Sequence, residues 1–271
     1  MGKDRASQVT FLSMLISIFC LASQSAAGPF RDPMIPDGQV LFYQYTSKTH
    51  LNPFLLEIRK GEEVETSVTE IRSYPDERGQ KIYQVTDQGK RKNGYRLEHI
   101  SELVVQQDML KPRSFVARDV NQDGRTIREM RAFFDDPTVQ YPEGTFPVFS
   151  AVQAMRGACF EKGTGVEFTL WIAPTEIFRM FVTIKDIESI EVPLGTIRCY
   201  LLEMKPDIRT ILPVSNLLAK LIQPFLPEYR FWFATEPSHF LVRFEGALGG
   251  AGAVKHIVEL QKVELRHQDK G

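Results

Sequence analysis

The clearest chemical spacing in this chain is Asp119-Val120-Asn121-Gln122-Asp123-Gly124. Oxygen-bearing side chains alternate there and a glycine follows at the sharp turn, as in the first half of a calcium loop. The second half is missing. The twelfth position, where a bidentate Glu should stand, is Met130, and Glu129 comes one residue early. Strand-forming residues flank the stretch where helices would be needed, so an Asp-Gly hairpin turn explains the same residues and no metal site is expected.

The histidines outside the N-terminal 27 residues are His50, His99, His239, His256 and His267, and none is spaced as a metal pair. His99 with Glu102 comes nearest and reads as an exposed pair on a strand or turn. The chain has no nucleophile elbow, phosphate-cradling loop or dinucleotide fingerprint. Gly246, Gly249, Gly250 and Gly252 follow a strand, but no helix comes after them to bind an anion, so they read as a hairpin loop. Asp135-Asp136 and Glu62-Glu63 are adjacent residues, which point to opposite faces of a strand and make no carboxylate dyad. The expectation is a protein that is not an enzyme and needs no cofactor.

The segment 215–225 is less ordinary. Leu217, Leu218, Leu221, Ile222 and Phe225 form one apolar stripe at helical spacing, with Asn216, Lys220 and Gln223 opposite. Ser215 is a suitable N-cap, and Pro213, Pro224 and Pro227 keep the helix short. Such a stripe either plugs the end of a core or forms a lid or contact face for an apolar ligand, lipid or partner. The single charge, Lys220, argues against a basic membrane-surface helix.

The elements that must position these residues follow from the rest of the chain. Lys3 and Arg5 precede an apolar run of fourteen residues at 9–22, and Ser25-Ala26-Ala27 supplies small residues for cleavage. This is the pattern of a signal peptide over 1–27, and the run is short of the about twenty residues a membrane span needs. Phe19 ahead of Cys20 argues against a lipidation site. The expected mature protein is one β-rich domain over 28–271, soluble and periplasmic, with no further membrane span. Lys and Arg number 33 against 34 Asp and Glu, a net charge of −1, so nucleic acid is not an expected partner. Cys159 and Cys199 remain after cleavage. Their even number in an oxidising compartment makes them a candidate disulfide, two buried thiols being the alternative.

Val166, Phe168, Leu170 and Ile172 alternate with polar residues, the period of a half-buried strand. Residues 40–45, 82–86, 95–105, 114–120, 126–134, 180–190, 197–204, 229–234, 240–245 and 254–265 are similarly rich in β-branched and aromatic types. Asn93-Gly94, Asp123-Gly124, Leu194-Gly195 and Glu236-Pro237 separate these runs as turns. The reading is a mainly β fold. Its curved antiparallel sheet would form a half-barrel, barrel or sandwich, with two short helices at 147–156 and 215–225.

From Phe149 to Glu264 the chain resembles a proteobacterial envelope family, domain-of-unknown-function family 3108. The matching pieces are Phe149-Ser150-Ala151 through Met155-Arg156 and the strand-turn 187–196. Phe231-Trp232-Phe233, the turn at Glu236-Pro237 and Leu241-Val242-Arg243-Phe244 also match, as does Lys111-Pro112-Arg113-Ser114-Phe115 upstream. The resemblance implies a periplasmic protein with a curved antiparallel sheet, similar in outline to lipoprotein-localisation carriers, and transfers no catalytic or binding residue.

The leading expectation is therefore a binding or carrier protein with an apolar cavity in its curved sheet. Trp171, Phe231 and Phe233 are the expected walls, Leu217, Leu221 and Phe225 the expected lid, and a hydrophobic small molecule or lipid the partner. The alternative is a non-catalytic envelope assembly or interaction module that docks a protein partner through a sheet edge or the same helix.

Overall fold

The computed structural model describes residues 29–50, 64–91, 93–174, 176–211, 214–222, 226, 228–247 and 255–267. The signal peptide expected over 1–27, Phe225 and the glycines at 249, 250 and 252 lie outside them.

The chain is mainly β, one large curved and non-closed sheet with three short helices among the described residues. Thirteen strands hydrogen-bond in the order β6-β5-β4-β3-β2-β1-β13-β12-β11-β10-β9-β8-β7. The first six are β1 (Gln39–His50), β2 (Val64–Pro75), β3 (Lys81–Arg91), β4 (Arg96–Gln106), β5 (Met109–Val120) and β6 (Thr126–Phe133). The others are β7 (Thr145–Pro147), β8 (Gly165–Ala173), β9 (Glu176–Val192), β10 (Gly195–Pro206), β11 (Tyr229–Ala234), β12 (Leu241–Ala247) and β13 (Lys255–His267). All neighbours are antiparallel except β7 and β8, where Thr145 faces Thr169 and Pro147 faces Trp171.

Alternation decides which face is inside. Tyr43 and Tyr45 on β1, Ile71 on β2, Tyr83 and Val85 on β3, and Phe231 and Phe233 on β11 all bury into one core. Cys199, Trp232 and Ala234, one step out of phase, join a smaller cluster with Val192 and Val242 on the other face. A third cluster of Phe115, Ala132 and Trp171 draws on β5, β6 and β8, near both ends of the strand order. Contact between β5 and β7 brings the two edge regions together, so the curl closes by side chains where hydrogen bonds stop.

The helix α1 (Val148–Ala154) and the 3-10 turn Met155–Gly157 sit on the inner side, with Ala151, Ala154 and Met155 in the main core. Ser150 Oγ bonds Ser101 Oγ of β4 at 2.8 Å. Arg31 N donates to Gly157 O at 2.9 Å, tying the N-terminal segment to this turn. At Gly157 a Cβ would stand 1.8 Å from Arg31 O, so only glycine allows the approach. The remaining helices, α2 (Ile208–Ile211) and α3 (Asn216–Ile222), lie between β10 and β11.

One long strand is absent from the sequence reading, and the disulfide expectation needs correction. Strand β2, with Thr66, Ser67, Thr69 and Ser73 mixed among its apolar residues, carries too weak a hydrophobic alternation to stand out, and its neighbours β1 and β3 impose its pairing. Cys159 and Cys199 form no disulfide. Ala158 and Phe160, on either side of Cys159, pack on the inner core, whereas Cys199 projects from the other face of β10. Burial, and then the charge of Glu188, push the Cys199 thiol up to about 12.

Candidate functional site

The concave side is filled by its own side chains. Phe231 rings meet those of Phe244 at 5.0 Å and Phe233 at 6.4 Å, and both Phe231 and Phe233 are buried. Trp171 is also buried, edge-on to Phe115 at 5.6 Å and to Phe134 at 5.8 Å. The three expected wall residues do not share one pocket: Phe231 and Phe233 belong to the main core, and Trp171 to the cluster near the sheet edges.

The helical stripe faces outward. Leu217 is 73% exposed, Leu221 62% and Leu218 44%, while Ala219 is the buried residue of α3. Ile211 of α2, 42% exposed, adds to the apolar surface. Ser215 caps the helix as the spacing predicts, its Oγ accepting from Leu218 N at 3.4 Å. The core-plug reading of this helix is therefore corrected. The prolines shorten it to two turns, and its contacts with α2 bury the small Ala219 in place of the leucines. Phe225 lies outside the described residues.

Polar groups lie inside the curl that sequence reasoning missed. Asp87 of β3 accepts a hydrogen bond from Thr69 Oγ1 at 2.5 Å. Burial raises its carboxyl to about 7 despite that bond. Its partner across the strands is His99, which lies 3.7 Å from the Phe149 ring and 6.0 Å from that of Phe115, centroid to centroid. Burial, with help from the Arg91 charge, lowers this imidazole to about 4 and keeps it neutral. Glu102, by contrast, bonds the Tyr74 and Ser114 hydroxyls, so the residue spacing that suggested a His99–Glu102 pair is not realised. The one-face alternation Tyr83, Val85, Asp87 was the available signal for the aspartate.

Arg156 is the other missed residue. It is 1% exposed, donates from Nε to Ser238 O at 2.7 Å and from Nη2 to Tyr43 Oη at 2.9 Å, and stacks over the Tyr43 ring. At the hairpin β5–β6, Asn121 Oδ1 accepts from the backbone of Asp123 and Arg125, and Gly124 takes φ +79. The calcium-like residues are a turn. Among the described residues no group of three His, Cys, Asp or Glu side chains could hold a metal.

No family model matches the chain, and no curated protein matches it. Among solved structures, it is similar to a β-barrel-like protein of domain of unknown function DUF1849 from Brucella abortus, at 10% identity and a TM-score of 0.43. That match covers 90% of this chain and 100% of the other. It is also similar to the lipoprotein LppX of Mycobacterium tuberculosis, at 11% identity and a TM-score of 0.29, covering 89% of this chain and 92% of that one. Likeness at this level carries no activity or ligand across.

Proposed function

We propose that this chain is an exported, non-catalytic binding protein of the periplasm that holds a hydrophobic ligand, a lipid or lipid-bearing molecule. First contact is made through Leu217, Leu218 and Leu221. The observation that carries this reading is the outward apolar face of α3. A short helix exposing three leucines gains stability when they leave water, at about 1.5–3 kcal/mol for each fully buried leucine. The export signal at 1–27 supports the compartment, and the resemblance to family 3108 belongs with this proposal. Uptake into the concave side needs Phe231 and its neighbours to move, whereas α3 is available without rearrangement.

Titration with a fluorescent long-chain fatty acid tests this. The expected result is saturable binding that Leu217→Asp/Leu221→Asp weakens at least tenfold while the thermal midpoint stays put. A wild-type protein that binds no probe, or a double variant that binds as well, would overturn it. The packed interior favours one further reading, an envelope interaction module using the same helix to dock a protein. In that case the double variant loses a periplasmic crosslinking partner and the wild type binds no acyl probe.

A further inference from the structure

In an antiparallel sheet successive connections alternate between two rims. The β3–β4 and β5–β6 turns therefore share a rim with the β10–β11 connection, which carries α2 and α3. The two hairpin tips are also joined to each other. Gln122 Nε2 donates to Asn93 O at 2.5 Å, and a Cβ on Gly94 would stand 3.1 Å from Gln122 Cγ.

Three exposed cations gather at these tips. Lys90 and Arg96 stand directly opposite each other across β3 and β4. The Arg96 guanidinium reaches the β5–β6 turn, with Nη2 3.9 Å from where a Cβ on Gly124 would stand, and Arg125 follows that glycine. Among the described residues none of the three has an ion pair, although Arg91 beside them has Asp119 at 3.5 Å. Asp123 is the single acid in the two tips, residues 91–96 and 121–125. Like charges directly opposite each other destabilise a strand pair, so an external anion would relieve this one.

The other rim has the reverse sign. Its four hairpin turns carry Asp76, Glu77, Asp108 and Glu236 against Arg78 alone. A chain of net charge −1 thus presents a positive hairpin pair on the rim where the α3 leucines are exposed. On α3 itself Lys220 is the one cation, so the charge of this rim comes from the hairpins. A soluble polyanion would use the cations and leave the leucines in water. An anionic bilayer surface uses both, since interfacial binding adds buried apolar area to attraction by lipid charge.

We infer that this rim docks on the surface of an anionic phospholipid bilayer. Lys90, Arg96 and Arg125 meet headgroup phosphates, and Leu217, Leu218 and Leu221 enter the boundary with the acyl chains. The inference rests on the reading of α3 as a lipid contact and adds the hairpin cations and the membrane surface to it.

Cosedimentation with phospholipid vesicles tests the rim. The expected result is binding to phosphatidylcholine vesicles holding about 30% phosphatidylglycerol, little binding to phosphatidylcholine alone, and loss as NaCl rises to about 0.5 M. Lys90→Gln/Arg96→Gln/Arg125→Gln should weaken vesicle binding at least about tenfold, with no fall in thermal midpoint and an unchanged fatty acid titration. Leu217→Asp/Leu221→Asp should lose the vesicles as well. A wild type that ignores anionic vesicles, or a triple variant that binds them as tightly, would overturn the inference; a fatty acid that still titrates then leaves the ligand reading standing. Vesicle binding without fatty acid binding upholds the docking and rejects the soluble-ligand reading. Vesicle binding that survives the leucine changes would assign the cations to a polyanion and overturn docking through this rim.

Discussion

Asp87 and His99 face each other across β3 and β4 with opposite responses to burial, so their contributions to stability change in opposite directions as pH falls. Asp87 stands near 7 against an ordinary 3.8, so between those values the folded chain holds a proton that the unfolded chain releases. Its contribution is full below about pH 4 and is lost as pH rises to about 7. His99 stands near 4 against 6.5, so the unfolded chain takes up a proton that the folded chain refuses. Its contribution is lost as pH falls from about 6.5 to about 4. Over that shared window the two nearly cancel. Asp87→Asn should therefore be more stable than wild type near pH 8, by about 1–3 kcal/mol, and lose stability more steeply towards pH 4.5. Chemical denaturation at pH 4.5, 6.5 and 8 checks this, and parallel curves for the two proteins would contradict it. These residues were hard to read in advance because only the one-face alternation Tyr83, Val85, Asp87 marks the aspartate and nothing local marks Arg156. Asp87 follows an apolar run and Arg156 precedes a helix-stopping glycine, and only the curl of the sheet turns both inward.

The strands were legible where apolar and polar residues alternate cleanly, as in β8, and in the β-branched and aromatic run of β11. The helix Val148–Ala154 was legible from its initiating proline and stopping glycine. Strand β2 and the three-residue β7 were not, since their pairing comes from neighbours distant in sequence. The helix α3 shows the limit of periodicity: the stripe predicted a helix with an apolar face correctly, but a stripe alone does not say whether that face meets a core or solvent. Gly157 tests the packing of the elements. Gly157→Ala would drive a methyl into Arg31 O and part the N-terminal segment from α1, costing about 2–4 kcal/mol in urea denaturation. A loss under 0.5 kcal/mol would mean that this contact does not hold the segment.

At the scale of the molecule, the curl leaves two sheet edges, and both are guarded. Strand β6 carries Arg128, Glu129 and Arg131, with Glu129 paired to Arg118 at 2.7 Å, and β7 is three residues long and ends in proline. Charged and very short edges discourage strand addition, so the contact proposed for the leucine face of α3 does not compete with pairing at an edge. Among the described residues no helix is long and apolar enough to cross a membrane. The most direct test of this account is native mass spectrometry of the mature protein recovered from the periplasm without detergent. The account predicts an added mass of lipid size, released by organic solvent and absent from Leu217→Asp/Leu221→Asp. A wild-type protein that flies at its bare polypeptide mass would contradict it.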